Sequence, residues 1–271
     1  MFRLIKNVLI TVIALYIGIL AYYTYNQRDI LYHPTARYVS PLDAEASVLY
    51  EEFSVKTEDG LPLKGWYAPA TRRNLTLVFF HGNADSVSSS APLMQPYLEA
   101  GYGVVLAEYR GFSGQPGTPD ESGLYRDGRA FISTLFDKGV DMNAVVFMGH
   151  SLGTGVAVQL AREFHPVGVV LFAPFLSAPK VAAKMFPYFP TEFLVFDRFA
   201  NEDKVAGIQT PLLVLHGDRD KVVPLTQGQK LFDKAQEPKR MEILSGFGHS
   251  DLFDEAAPTV LDWLPTLEKK S

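Results

Sequence analysis

The 271-residue sequence contains no cysteine. That absence excludes disulfides, thiolate metal sites and a cysteine nucleophile. Charged residues make up only 20% of the chain and the formal net charge is −5, with no basic patch of the kind that binds nucleic acid. Hydrophobic residues reach 47%, a balance typical of a globular protein rather than a disordered one. The composition therefore predicts a folded protein that does not take nucleic acid as a partner.

One long apolar run lies near the N-terminus, where residues 8–25 include no charged residue. About 20 apolar residues are enough for a helix to cross the hydrocarbon core of a bilayer. A cleaved signal peptide and a buried core helix are the alternatives. Cleavage needs small residues after a shorter apolar core, whereas here Tyr22, Tyr23 and Tyr25 end the run. We therefore predict an uncleaved transmembrane anchor at 1–29, followed by a linker at 30–52.

The orientation of this anchor follows from the positive charges that flank it. Arg3, Lys6 and the terminal amine precede the apolar run, and Arg28 and Arg37 follow it. The excess on the N-terminal side is slight. It favours a single-pass topology with a cytoplasmic N-terminus and a catalytic domain on the non-cytoplasmic side.

The rest of the chain, 53–271, alternates short apolar runs with amphipathic stretches. The runs predict strands at 53–57, 63–68, 75–80, 104–107, 145–148, 167–172, 212–215 and 241–244. The longer stretches predict helices at 93–100, 122–138, 154–164, 226–235 and 251–269. Such alternation is typical of an α/β domain with a mostly parallel sheet covered by helices on both faces. An insertion at about 174–209, rich in Phe, Tyr and Pro, interrupts the alternation and is predicted to form a small cap.

The candidate nucleophile is Ser151 in the sequence GHSLG, which matches the G-x-S-x-G pattern. An apolar run that predicts a strand precedes the motif, and a helical stretch follows it. This context is required because the serine must sit on a sharp turn between a strand and a helix. An ordinary serine in a glycine-rich turn is the alternative.

A serine nucleophile needs a base and a carboxylate that orients it, and in this arrangement the acid and then the histidine follow the serine along the chain. His249, in a loop after the last predicted strand, is the candidate base. His216 ends the preceding strand and is expected to pack beneath the acid loop. Asp218 and Asp220 both follow His216, and spacing alone does not choose between them.

Two backbone N–H groups are expected to form an oxyanion hole. One comes from the residue after the nucleophile, Leu152, and the other from the loop that follows the apolar run at 75–80. In that loop Asn83 is the first choice and Ala84 the second.

Five motifs occur in a fixed order along the chain. They are HGN at 81–83, YRGFSG at 109–114, GHSLG at 149–153, HGDRDKVVP at 216–224 and GFGH at 246–249. Together they resemble the α/β-hydrolase superfamily, and most closely its single-pass anchored branch related to the bud-emergence proteins and the protein depalmitoylases. The resemblance implies Ser151 as nucleophile, His249 as base and Asp220 as acid.

Three functions are compatible with these residues. The first is hydrolysis of an ester or thioester, with an acyl lipid or acylated protein as substrate, suggested by the anchor and by five aromatic residues of the insertion. Those residues are Phe186, Tyr188, Phe189, Phe193 and Phe196. Packing of the insertion is the plain alternative for this cluster.

The second function is an aminopeptidase-like amidase on the same three residues, which needs a carboxylate to hold the free amine. Glu192, Asp197, Glu202 and Asp203 are the acids available in the insertion. The third is a non-catalytic, membrane-bound scaffold that has kept the fold. None of the three implies a metal or an organic cofactor.

Overall fold

The structure is a computed structural model, and it describes residues 1–35, 37–44, 46 and 49–268. Within these residues the chain forms a single sheet of eight strands in the order β1-β2-β4-β3-β5-β6-β7-β8. The strands are β1 (Glu51–Lys56), β2 (Pro62–Ala68), β3 (Thr76–Phe80), β4 (Gly103–Ala107), β5 (Val145–His150), β6 (Gly168–Phe172), β7 (Leu212–Gly217) and β8 (Lys239–Leu244). All neighbours from β4 to β8 pair in parallel, whereas β2 runs antiparallel to both β1 and β4. The predicted mostly parallel sheet is confirmed.

Helices cover both faces of the sheet, and two more precede its first strand in the sequence. They are α1 (Phe2–Tyr25), α2 (Gln27–Leu31), α3 (Val87–Glu99), α4 (Glu121–Asp137), α5 (Leu152–Phe164), α6 (Ala178–Met185), α7 (Thr191–Leu194), α8 (Leu225–Lys234) and α9 (Phe253–Trp263). One hydrophobic cluster joins the sheet to α4, α5 and α8, and a second joins its other face to α3 and α9. Successive residues of β3 alternate between the two clusters, as the pleat of a strand requires. This explains why the central strands are apolar at every position.

Two helices differ from their predicted bounds by more than two residues. Helix α3 begins six residues before the predicted start, because the Ser86 hydroxyl accepts from the Ser89 N–H and the Ser89 hydroxyl accepts from the Ser86 N–H. This reciprocal cap starts the helix ahead of its two internal prolines. The predicted closing helix ends earlier than expected, since α9 is followed by one 3-10 turn at Leu264–Thr266. Its predicted end at Lys269 lies outside the described residues.

The N-terminal helix α1 has no buried residue and is, among the described residues, the one helix long and apolar enough to cross a membrane. Asn26 separates it from α2, and the chain then runs along the domain to β1. The segment between β6 and β7, where a cap is predicted, carries α6, α7 and two 3-10 turns. The division into anchor, linker and domain stays a prediction, and residues 36, 45, 47, 48 and 269–271 of it lie outside the described residues.

Candidate active site

Ser151 lies at the turn from β5 to α5 with a strained backbone, at φ 50° and ψ −116°. A positive φ is unfavourable for a residue with a side chain and persists only where the surroundings impose it. The close packing around the two flanking glycines imposes this backbone conformation on Ser151. A Cβ on Gly153 would lie 1.9 Å from the carbonyl oxygen of Phe80, and one on Gly149 would lie 2.5 Å from that of Gly153. Glycine at both positions is therefore required for α5 to pack this closely behind β3.

The structure brings Ser151, His249 and Asp220 into one hydrogen-bonded line. The Ser151 hydroxyl oxygen lies 2.9 Å from His249 Nε2, and His249 Nδ1 lies 2.7 Å from Asp220 Oδ2. Because the carboxylate can only accept, Nδ1 carries the proton and Nε2 presents its lone pair to the serine. Each residue follows a different parallel strand, and the C-terminal ends of parallel strands meet at one edge of the sheet.

Asp220 is held by its own loop as well as by His249. Its side chain is fully buried, and Oδ1 accepts from the N–H groups of Val222 and Val223, both at 2.8 Å. Burial raises the pKa of this carboxyl, but hydrogen bonds from His216 and His249 and from the backbone outweigh burial and leave it below its ordinary value. Asp220 is therefore a carboxylate at neutral pH.

His216 and Asp218 support this arrangement from opposite sides. His216 is fully buried beneath the acid loop, as expected, and its Nε2 lies 2.9 Å from the Val223 carbonyl oxygen. Asp218 points away from His249, and its carboxylate accepts from the Gly246 N–H at 2.7 Å and the Ser245 hydroxyl at 3.1 Å. Asp218 thus ties the acid loop to the loop that carries His249.

The two candidate oxyanion donors lie on either side of Ser151. Leu152 is the first residue of α5, so its N–H has no acceptor within the helix. Asn83 lies in the loop after β3, and its amide side chain is engaged elsewhere: Oδ1 accepts from the His33 N–H at 3.2 Å, and Nδ2 lies 2.9 Å from His33 Nδ1. Asn83, Ala84 and Leu152 all line the cavity that contains Ser151.

A second histidine, His150, connects three loops of the site. Its Nε2 donates to the carbonyl oxygen of His249 at 3.0 Å, and its Nδ1 lies 3.4 Å from Asp85 Oδ2. The same carboxylate oxygen accepts from the Gly82 N–H at 3.2 Å. The nearby His150 ring lowers the pKa of Asp85 despite partial burial. The sequence interpretation missed both residues. Their only signal was position, since each follows the end of a predicted central strand.

The loop after β3 is held from below by a buried pair that was also missed, His81 and Glu108. His81 Nε2 lies 2.7 Å from Glu108 Oε1, and Nδ1 lies 2.8 Å from the Gly82 carbonyl oxygen. Glu108 also accepts from the Ser113 hydroxyl at 2.7 Å. The 109–114 motif therefore braces this loop from within, and no residue of that motif, all of it described, lines the cavity.

This pair predicts a pH-dependent stability. Burial lowers the pKa of His81, but Glu108 and the Gly82 carbonyl outweigh burial and raise it above the ordinary value. The stabilisation is therefore complete below the unfolded pKa of about 6.5 and is lost as the pH rises through the raised folded pKa. We expect the free energy of unfolding to fall as the pH rises through that window. Glu108→Gln should abolish this loss.

The measurement is denaturant unfolding of the detergent-solubilised chain at several pH values above and below 6.5, followed by tryptophan fluorescence. Both tryptophans, Trp66 and Trp263, are buried in β2 and α9 and report on the folded domain. Identical pH profiles for wild type and Glu108→Gln would show that the pair does not titrate as argued.

A cavity of about 440 Å³ opens onto Ser151 and His249. Its volume is in the range of sites for small organic molecules, roughly 300–1,000 Å³. Three parts of the chain supply its apolar walls: the N-terminal segment from Tyr23 to Leu31, the insertion from Phe175 to Val195, and Val222 and Val223 beside the acid. Among the lining residues that the structure describes, Asp85 is the one acid. Within 1–35, 37–44, 46 and 49–268, no cluster of three or more His, Asp or Glu residues is arranged to hold a metal ion.

Comparison with solved structures defines the fold. The Pyrococcus furiosus esterase Pf2001 superposes with a TM-score of 0.72 at 20% sequence identity, over 88% of this chain and 97% of that one. The fold is the α/β-hydrolase fold, as the motifs predict. A family model described as serine aminopeptidase, S33 matches residues 71–201 and 192–256. The chain belongs to this family, and it is an α/β hydrolase.

Two curated relatives show how far the sequence similarity extends. The uncharacterized protein Rv2307c of Mycobacterium tuberculosis is 36% identical over 239 residues, which cover 86% of this chain and 84% of the relative. The alpha/beta hydrolase domain-containing protein 17B of Xenopus laevis is 32% identical over 182 residues, which cover 65% of this chain and 61% of that protein. Similarity to the first therefore extends over most of both chains.

Proposed function

We propose that the protein is a serine hydrolase that cleaves carboxylic esters or thioesters through an acyl-enzyme. The observation that carries the proposal is the unbroken line from Ser151 Oγ through the His249 ring to Asp220, with contacts of 2.9 and 2.7 Å. A serine hydroxyl is a weak nucleophile on its own and becomes effective when an oriented base can take its proton.

In the first half-reaction Ser151 Oγ bonds to the substrate carbonyl carbon while its proton passes to His249 Nε2. Asp220 fixes the ring tautomer and stabilises the imidazolium that forms. The tetrahedral intermediate collapses, the bond to the leaving alkoxide or thiolate breaks, and His249 returns the proton to it. Water then attacks the acyl-serine by the same route, which releases the carboxylic acid and restores Ser151.

The developing oxyanion needs donors that are already in position. The N–H of Leu152 and that of Asn83, with Ala84 as the second choice, are the proposed pair. One such donor typically contributes roughly 3–4 kcal/mol to transition-state stabilisation. The buried His81–Glu108 pair and the Asp85–His150 contact support this assignment, because both fix the loop that carries Asn83.

The apolar lining of the cavity favours a substrate that binds through an acyl group. Phe186 and Phe189 of the insertion line it, and their rings stack with centroids 5.4 Å apart. The remaining three aromatic residues of that cluster, Tyr188, Phe193 and Phe196, face outward. Packing within the insertion therefore accounts for only part of the cluster.

Location at a membrane is the second part of the proposal. Helix α1 exposes nearly all of its large apolar side chains, an arrangement that a bilayer stabilises and water does not. We assign α1 as a single-pass anchor with the catalytic domain on the non-cytoplasmic side. The motif resemblance supports placing the chain near the anchored, depalmitoylase-like branch.

The name of the matching family favours a second candidate, an aminopeptidase. Such an enzyme needs a carboxylate in the cavity for the free amine of its substrate. The four acids of the insertion, all within the described stretch 49–268, do not line the cavity. Glu192 pairs with Arg198, Asp197 with Arg28 and Glu202 with Lys180, while Asp203 is exposed. An acyl substrate therefore fits the cavity better than an aminoacyl one. The alignment of Ser151, His249 and Asp220 argues against a scaffold without activity.

A substrate panel tests the choice. The detergent-solubilised chain is offered acyl esters, acyl thioesters and aminoacyl amides whose leaving alcohol, thiol and amine carry the same aryl group. We expect turnover of the first two and at least about 100-fold lower kcat/KM for the amides, because Asp85, the one acid among the described lining residues, is already held by the Gly82 N–H and lies against His150. Preference for the aminoacyl amides would contradict the ester assignment, and no turnover of any class would favour the scaffold.

A further inference from the structure

The N-terminal helix does not stand apart from the domain but packs along the insertion. The Tyr16 hydroxyl donates to the Tyr188 carbonyl oxygen at 2.7 Å, and the Tyr23 ring lies 5.3 Å from Phe186 and 5.4 Å from Phe189. These residues define a seam between α1 and the insertion.

Two polar contacts close one end of the seam. Gln27 Oε1 accepts from the Phe196 N–H at 2.8 Å, and Arg28 Nε donates to the buried Asp197 carboxylate at 3.0 Å. Aromatic contacts therefore join the insertion to the apolar helix α1 at Tyr23, and polar contacts join it to the polar residues Gln27 and Arg28 that follow.

The cavity at Ser151 runs into this seam. Its walls include Tyr23, Ile30 and Leu31 on the N-terminal side and Met185, Phe186 and Phe189 on the side of the insertion. Residues of the anchor segment are thus part of the site itself. The seam provides an apolar path from the surface of α1 to the candidate nucleophile.

The depth of the seam follows from helix geometry. Tyr16 precedes Tyr25 by nine residues, which is about 13 Å along the axis at 1.5 Å per residue. With α1 spanning a bilayer, the polar residues after Tyr25 lie at the interface, and Tyr16 lies well inside a hydrocarbon core about 30 Å thick. Even a tilt of about 40° leaves it about 10 Å deep. The Tyr188 carbonyl bonded to Tyr16 lies at the same depth.

Exposure on the insertion agrees with this depth. Tyr188 is 85% exposed, Phe193 84% and Met185 66%, values that are unfavourable in water and favourable in lipid. Several charged side chains nearby have partners, as charged groups at membrane depth are expected to have. Arg198 contacts Glu192, Lys180 contacts Glu202, and Lys184 donates to the Lys221 carbonyl on the catalytic domain.

We propose that the insertion is embedded in the bilayer beside α1 and that the acyl chain of a membrane lipid ester reaches Ser151 laterally along the seam. The inference rests on the proposed function and adds the source of the substrate: a long-chain acyl lipid already resident in the membrane. The anchor then has a second role, because Tyr23, Ile30 and Leu31 form one wall of the acyl site.

The test uses the full chain in phosphatidylcholine vesicles with two substrates, palmitoyl glycerol in the bilayer and water-soluble p-nitrophenyl acetate. Ile30→Trp puts a bulky ring into the N-terminal wall of the cavity into which the seam runs, and Ile17→Trp makes the same change on an exposed face of α1 that does not line the cavity. We expect Ile30→Trp to lower palmitoyl turnover at least about tenfold more than it lowers acetate turnover. Ile17→Trp should leave both near wild type.

If Ile30→Trp lowers turnover of both substrates by the same factor, or of neither, lateral entry is overturned. A palmitoylated peptide that is cleaved in the same vesicles while palmitoyl glycerol is not would overturn the lipid assignment. Acetate turnover that survives Ser151→Ala would count against the proposed function instead, so the two failures are distinguishable.

A second measurement reads the depth of the insertion without activity. Because the chain has no native cysteine, Tyr188→Cys carries a single fluorophore. The matched control is Asp137→Cys, at the C-terminal end of α4, whereas it is the N-terminal residue Glu121 of this helix that contacts Asp197 of the insertion. We expect brominated lipid chains to quench the label at 188 and not the label at 137. Equal quenching of both labels by an aqueous quencher would overturn the embedding of the insertion.

Discussion

Ser151→Ala is expected to lower kcat for acyl ester hydrolysis by about 10⁶-fold, the loss typical when a serine nucleophile is removed from a triad that acts as a unit. The substitution deletes only the hydroxyl that lies 2.9 Å from His249. It also leaves the apolar cavity and both candidate oxyanion donors in place, so the remaining activity should still exceed the uncatalysed rate. Steady-state kinetics on a soluble short-chain ester measures the loss.

The matched control is Ser250→Ala, another serine at the edge of the same cavity. Its neighbour His249 keeps both of its ring contacts, so we expect only a small change in kcat. Comparable losses in the two variants would mean that the serine hydroxyl at 151 has no special role. Tryptophan fluorescence of both variants checks that each is folded.

Asp220→Asn is expected to lower kcat by about 10⁴-fold, because an amide cannot hold His249 in the tautomer that leaves Nε2 free to accept. The fully buried carboxylate contacts His249 Nδ1 at 2.7 Å, so no solvent group replaces it. The effect should fall on kcat rather than on KM, since Asp220 does not line the cavity, whose lining lies within the described residues.

Asp218→Asn is the control, with the same change two residues away. Its oxygen can still accept from the Gly246 N–H, so the loop that carries His249 should keep its place and kcat should fall by less than about tenfold. If instead Asp218→Asn is the damaging change and Asp220→Asn the mild one, the acid has been assigned to the wrong residue.

Most of the fold could be predicted because its local signals agree with its tertiary structure. The central strands are buried on both faces, so they appear in the sequence as continuous apolar runs such as 75–80. The turn at Ser151 could be located because the close approach of α5 to β3 demands glycine on both sides of the serine. The start of α3 could not be predicted, because a serine cap begins this helix ahead of two prolines, which normally indicate that a helix is interrupted.

The details of the site depend on contacts between distant parts of the chain, which no local pattern records. Spacing left Asp218 and Asp220 equivalent, and only the family resemblance favoured Asp220. The structure separates them because one turn directs Asp220 inward and Asp218 toward Gly246. The contact between Asp85 and His150 forms because β3, which precedes Asp85, and β5, which ends at His150, lie side by side in the sheet. The packing of Tyr23 against the insertion joins residues more than 160 positions apart.

The most direct test of the central claim is covalent labelling of the full-length protein with a fluorophosphonate, followed by mass spectrometry of its peptides. An activated Ser151 displaces fluoride and forms a bond from Oγ to phosphorus, with His249 taking the proton. We predict a single adduct on Ser151 that disappears in His249→Ala. An adduct on a different residue, or no adduct on folded wild-type protein, would contradict the account.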